Sequence, residues 1–270
     1  MKTLPKQPLL PPQNTALRLG AAGFVVGPLV DSLHNQCLLR YDIAPITLPS
    51  PLPSSDPLFS SSLVVPPLLA FAYIVLGFIL PRIIEFLPIP RERLDEDDID
   101  NDNNKGSDAT RNTSNQLRNK AFLAVSSTAA IIKLSEILQT HDSIQIGANV
   151  FNMDAGANLQ LMALADLCQW ITLDRTPVAL IAATVTAFGG PLSELPFVSA
   201  GFWEYIPTAA DYTPLAMVQL GGAMEGLLSS LLGDGYRDLT LSSITGPCYF
   251  AVTLDAIALG RYFYSLEEKK

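Results

Sequence analysis

Six ionisable side chains interrupt stretches that are otherwise apolar, and these are the groups whose type and spacing could do chemistry. Asp31 and His34 stand three residues apart within 19–39, and Lys133 and Glu136 stand three apart within 121–138. On a helix that spacing puts both members of a pair on one face, where each can compensate the other. Asp166 and Asp255 have no such neighbour. A charged group in hydrocarbon costs about 2.5–3.5 kcal/mol on insertion scales, so it turns inward and pairs, or it marks a ligand or proton path. For the two pairs, a stitch between helices and a polar pocket both remain open. For Asp166 and Asp255, contact with each other or with Lys133 would be structural, whereas isolation in a cavity would indicate ligand or ion handling.

These readings need a membrane, and the composition supplies one. Of 270 residues 49% are apolar and 16% charged, against about 25% charged in soluble domains, and the mean hydropathy is +0.28. The charges are bunched in 82–120, which leaves the remainder still more apolar. Residues 61–80 run for twenty positions without a charge, enough to cross a hydrocarbon core of roughly 30 Å. Residues 155–173 carry only Asp166 and 177–193 carry none; 19–39, 121–138 and 246–264 are weaker spans because of the ionisable groups in them. The expected fold is all-α: a polytopic membrane protein built as a six-transmembrane-helix bundle.

Six spans also sort the basic residues. Lys2, Lys6, Arg18, the seven in 82–120, Arg175, Arg261, Lys269 and Lys270 fall on one side, and only Arg40 and Arg237 on the other. Short cytoplasmic loops hold the Lys and Arg, so both termini are expected in the cytosol, and the sequon at Asn112 is expected to stay unmodified. Residues 214–233 read as an interfacial or re-entrant segment, since a seventh span would put Arg237 and the C-terminus on the wrong side. The organisation is then a cytosolic tail (1–15), a membrane domain (16–264) with an acidic cytosolic loop (91–116) and an extra loop segment (207–240), and a second cytosolic tail (265–270). The acidic loop lacks the apolar positions to fold alone and is expected to be disordered.

Several function classes fall away. A formal charge of −9 argues against nucleic acid as a partner. Three cysteines and two histidines have no metal-ligand spacing, no phosphate loop or catalytic motif is present, and no nucleophile sits beside a base. The expectation is a protein that is not an enzyme and carries no metal or cofactor. Trp170 and Trp203, near span ends, read as interfacial anchors. Cys168 and Cys248 read as small buried residues, and Gly23-x-x-x-Gly27 and Gly222-x-x-x-Gly226 as close helix contacts.

The order of features resembles the Insig (insulin-induced gene) family of endoplasmic-reticulum membrane proteins. The resemblance is carried by a lysine inside the third span, in 117–138 (LRNKAFLAVSSTAAIIKLSEIL), and by 157–176 (ANLQLMALADLCQWITLDRT), an N-x-Q approach to a fourth span ending W-x-T-x-D-R. Trp170, Thr172, Asp174 and Arg175 match the family's W-x-T-F-D-R-S ending. Gly246-Pro247-Cys248 and Gly260-Arg261 bracket the last span as W-L-P-C and G-R do in the family, and Gly201-Phe-Trp-Glu-Tyr205 is similar to its G-V-Y-Q-Y segment.

The resemblance implies a non-enzymatic, sterol-responsive regulator of lipid biosynthesis. Such a protein binds oxysterol, or a diacylglycerol-like lipid as in bacterial relatives, between its spans. It retains sterol-sensing-domain membrane proteins in the endoplasmic reticulum, namely the escort protein of sterol-responsive transcription factors and hydroxymethylglutaryl-CoA reductase. Gln160 and Trp170 would then line the lipid pocket, and Asp174 with Arg175 would meet the partner. Two alternatives stay open: a lipid-binding membrane protein without sterol regulation, in the endoplasmic reticulum or a plastid membrane, and a small proton-coupled transporter using the intramembrane charges. Assembly as a homo-oligomer is open as well.

Overall fold

An apolar run surrounded by hydrocarbon has no water to satisfy its backbone, so it closes its own hydrogen bonds as a helix. The computed structural model describes residues 9–33, 35–50, 57–87, 106–141, 143–146, 149–218 and 221–267, and only the backbone of 35, 36, 106–114, 144–146 and 149–152. Among the described residues six long helices form: α1 (Gln13–Asp31), α2 (Val65–Glu85), α3 (Gly106–Thr140), α4 (Ala155–Leu173), α5 (Pro177–Ser199) and α7 (Thr245–Ser265). A short α6 (Gly222–Leu232) precedes the last. The strands β1 (Leu39–Tyr41), β2 (Pro45–Leu48), β3 (Phe59–Ser62), β4 (Ser143–Ile146), β5 (Asn149–Asn152) and β6 (Trp203–Tyr205) pair as three antiparallel ribbons, β1 with β6, β2 with β3 and β4 with β5. Boundaries follow local chemistry: the Asp154 carboxylate caps α4 by accepting from the Ala157 amide at 2.7 Å, and Thr176 caps α5 ahead of Pro177.

Hydrogen bonds fix which helix ends lie together. At one end Thr15 Oγ1 donates to Glu267 at 2.8 Å, Asp174 binds Arg261, and the Arg82 guanidinium lies over the Tyr264 ring. At the other, Gln139 Nε2 donates to the Thr208 carbonyl, Asn158 Nδ2 to that of Leu138, and β1 joins β6. The six long helices therefore run alternately from end to end. Val65–Glu85, Asn115–Thr140 and Pro177–Ser199 are each long and apolar enough to cross a bilayer. Large apolar side chains cover the outside, Phe71 at 67%, Phe122 at 76% and Phe188 at 73% exposure, far more than a water-soluble surface carries. The chain is a helical membrane protein.

One expectation changes. Helix α3 starts at Gly106, inside the segment expected to be a disordered loop, while 88–105 lie outside the described residues. The extra loop is folded: α6 is eleven residues, about 16 Å long and too short to cross about 30 Å of hydrocarbon, and Arg237 ties back to Glu225 at 3.0 Å.

Helix α7, a weak span by sequence because of Asp255 and not one of the three helices above, is the central post. It packs against all five other long helices, and thirteen of its residues are buried, Asp255 among them. Small residues allow this approach. A Cβ on Gly260 would collide with the Gly77 carbonyl oxygen, and one on Gly246 would lie 2.8 Å from that of Ala187. Pro81 has no N–H to give the Gly77 carbonyl four residues back, and α2 widens into a π turn over Val75–Ile79 at that point. Gly23 and Gly27 serve as expected, seating α1 on Leu69 of α2, whereas a Cβ on Gly222 or Gly226 would meet nothing within 4 Å among the described residues. Gly260→Ala is expected to cost about 1–3 kcal/mol through overpacking. Thermal unfolding in detergent should show the lowered midpoint, with Gly226→Ala, in open space, unchanged or raised.

Candidate functional site

The β1–β6 ribbon pairs Leu39 with Tyr205, Arg40 with Glu204 and Tyr41 with Trp203. Side chains alternate across a strand, so Arg40 and Glu204 meet on the outer face at 2.6 Å while Tyr41, Trp203 and Tyr205 turn inward and are buried. Ring packing fixes them, with Trp203 stacked on Phe197 at 5.1 Å and edge-on to Tyr41 at 6.3 Å.

Beneath this ribbon lies Glu194 of α5, only 8% exposed. Its carboxylate accepts from Tyr205 Oη at 2.6 Å, Tyr249 Oη at 2.8 Å and Trp203 Nε1 at 3.4 Å, and Tyr205 Oη also lies 3.2 Å from Thr245 Oγ1. Burial first, and the adjacent Glu194 second, hold the Tyr205 phenol above the ordinary tyrosine range. Asp31, closing α1, accepts from Tyr41 Oη at 2.6 Å. A cavity of about 90 Å³ opens among these groups, its polar lining made by Asp31, Glu194, Tyr73, Tyr205, Thr245 and Tyr249 and most of the rest by the aliphatic side chains of Val30, Leu38, Leu39, Leu69, Ile132 and Val252. Two carboxyl groups face it and, among the described residues, no lysine or arginine lines it. Its inward chemistry is that of an acceptor site for hydroxyl donors on an apolar body. The volume is below the 300–1,000 Å³ of a small-molecule pocket, so it suits the polar end of a ligand.

The intramembrane groups singled out by sequence are distributed differently. His34 lies outside the described residues, and Asp31 has Tyr41 as a partner. Lys133 and Glu136 do pair with one another, on the outer side of α3, with side chains 52% and 28% exposed. Asp255 meets neither Asp166 nor Lys133 in any hydrogen bond or ion pair among the described residues; it accepts from Tyr73 Oη at 2.8 Å, leaving Oδ1 without a hydrogen-bond partner there. Asp166 is buried, and its Oδ1 is likewise unpartnered among the described residues.

Gln160 is exposed on the outside of α4 and does not line the cavity; the buried amide of that helix is Gln169, which donates to Ser127 and Thr128 at 2.9 Å. Trp170 is half-buried, gives its N–H to the Thr176 carbonyl at 3.1 Å and also lies outside the cavity. Trp203 is a buried donor instead of an interfacial anchor, and Cys168 is exposed instead of buried. Asp174 is paired with Arg261 at 2.5 Å, its side chain only 6% exposed, while Arg175, with a φ of 59°, is exposed beside it.

Glu194, Tyr249 and Tyr73 escaped sequence reading, and Tyr205 entered it only as the end of the Gly201–Tyr205 segment, without a role. Ending the apolar run at 193 for want of charge stopped it one residue before Glu194, and a tyrosine in a span reads as an ordinary aromatic.

No protein-family model and no curated protein matches the chain. Among solved structures it is similar to the mycobacterial Insig homologue MvINS of Mycobacterium vanbaalenii, with 15% identity over 94% of this chain and 96% of that one and a TM-score of 0.54. A cross-linked trimer of an MvINS cysteine variant gives 16% identity with the same coverage and TM-score. The fold is Insig-like. Within it, the Glu194 carboxylate is the most heavily hydrogen-bonded buried acid among the described residues. Glu194→Ala strands three buried donors and is expected to cost about 3–5 kcal/mol, near the cost of removing one partner from a buried pair. Glu194→Gln retains an acceptor and should cost less. Unfolding midpoints of the two variants in detergent check the order.

Proposed function

We propose that the protein is a non-enzymatic membrane protein that holds a neutral lipid by its hydroxyl end in the central cavity and, through that occupancy, regulates a membrane-protein partner. The observation that carries this reading is the set of acceptors and tyrosine hydroxyls around Glu194 and Asp31, walled in by aliphatic side chains inside an Insig-like bundle. A carboxylate gives a ligand hydroxyl a charge-assisted hydrogen bond, shorter and about twice as strong as a neutral one. Diacylglycerol and oxysterols both offer such a hydroxyl on a large apolar body. In this reading all six long helices span the membrane, both termini are cytosolic, and the membrane is the endoplasmic reticulum.

The partner is a sterol-sensing-domain protein, the transcription-factor escort or hydroxymethylglutaryl-CoA reductase. Its contact is at the end of the bundle where Arg175 is exposed and Asp174 is held by Arg261. Gln160, outward on α4, serves as a contact to surrounding lipid or partner helices and Trp170 as packing behind it. The same surfaces are open to further copies of the chain, as in the MvINS trimer.

The test is photo-crosslinking of the detergent-purified protein with photoreactive diacylglycerol and photoreactive oxysterol, each competed by its unlabelled form. Saturable labelling weakened about tenfold or more in Glu194→Gln is expected, since a hydrogen bond to a charged group is worth about 1.5–3 kcal/mol. Labelling that does not saturate, or that is equal in the variant, would overturn the cavity assignment.

A further inference from the structure

A second cleft lies at the end of the bundle opposite the Glu194 cavity and shares no residue with it. We propose that it binds a phosphate group, that of an anionic phospholipid at the membrane surface being its source. The cleft measures about 310 Å³ and is framed by α2, by α3 at Leu117 and by the end of α7. Its floor is the close approach of Gly77 to Gly260, where the π turn of α2 meets the central helix. Such turns occur frequently at functional sites.

Two arginines line it, Arg82 and Arg261, and Glu85 is the one acidic side chain among its described lining residues. A guanidinium has five N–H donors in a planar fork. Arg82 uses Nη1 on Glu85 at 2.9 Å, and its plane is held over the rings of Phe78 at 5.1 Å and Tyr264 at 5.8 Å. Arg261 spends Nη1 on Asp174 and Nη2 on Thr176 at 3.4 Å. Each fork is thus held in place and keeps further donors. In the Arg82–Glu85 pair the arginine side chain is 19% exposed and the acid 41%, so the guanidinium is held in the cleft while Glu85 borders solvent, and two ordered guanidinium groups on one cleft match the fork geometry of phosphate.

The surroundings agree. Lys120 follows Leu117 of the cleft wall by three residues, one turn along α3. At this end the described side chains of Arg18, Arg82, Arg118, Lys120, Arg175 and Arg261 outnumber those of Glu85, Asp174 and Glu267. Exposed Phe86 and Phe122 flank the region and offer acyl chains an apolar surface. The site therefore fits a group whose phosphate sits at headgroup level while its chains run down the outside of the bundle.

The experiment is native mass spectrometry of the full chain released from phosphatidylcholine nanodiscs doped with phosphatidic acid, with inorganic phosphate titrated in a separate arm. Phosphatidic acid should be retained about tenfold above phosphatidylcholine. Arg82→Gln should remove most of that preference, and Glu85→Gln, which frees Arg82, should raise it several-fold. Opposite effects of these two substitutions are not what misfolding would produce. Adducts of inorganic phosphate alone, lost in Arg82→Gln, would support the site and make its source a soluble phosphate. Equal retention of the two lipids without phosphate adducts, or a preference indifferent to both substitutions, would overturn it. The two sites share no residue and no diacylglycerol is added here, so either outcome leaves the Glu194 cavity to its own photo-crosslinking test.

Discussion

A carboxylate inside an apolar helix bundle must be met by donors, and much of this architecture reads as the answer to that requirement at Glu194. No cation lines its cavity among the described residues, so the donors are two phenols and an indole. Two of them come from β6, which is inward-facing only because β1 pairs with it in the register that sends Arg40 and Glu204 outward. The third comes from Tyr249, on the most buried helix of the molecule. A ribbon, a span and the central post are thus tied to one acid. The same economy recurs at Asp31 with Tyr41 and Asp255 with Tyr73. Tyrosine suits this work because it buries a large apolar ring and still brings a hydroxyl to the acceptor.

Close backbone approach is the second constraint, and it links the two ends of the molecule. Gly260 against Gly77 lets α7 sit in the middle of the bundle, which carries Thr245 and Tyr249 to the acidic cavity and Arg261 and Tyr264 to the basic cleft. Both clefts are therefore organised by one helix, with acceptors concentrated at one end and donors at the other.

How much of this the sequence shows depends on what a residue's environment adds to its type. Apolar length located the long helices, of which Val65–Glu85, Asn115–Thr140 and Pro177–Ser199 are long and apolar enough to cross a bilayer. Gly23 and Gly27 were legible because helix–helix contact needs small residues at that spacing, yet Gly222 and Gly226 carry the same pattern with no other helix against it among the described residues. Hydropathy marks α7 as a weak span because it counts Asp255 as if it faced lipid, and is blind to the Tyr73 hydroxyl that meets it. Glu194 was hidden by the opposite error of trimming a span at its first charge. The resemblance through 157–176 pointed to the right fold, while Gln160, on the outer face, and Asp174, held by Arg261, are positions that only packing could locate.

The central claim is that the Glu194 carboxyl group accepts a hydrogen bond from the hydroxyl of a lipid entering the cavity. Infrared difference spectroscopy of the detergent-purified protein with and without a diacylglycerol reads that bond directly. A carboxyl or carboxylate band should shift on lipid addition in the wild-type chain and stay silent in Glu194→Gln. A spectrum without that band, or one identical in the two proteins, would contradict the account.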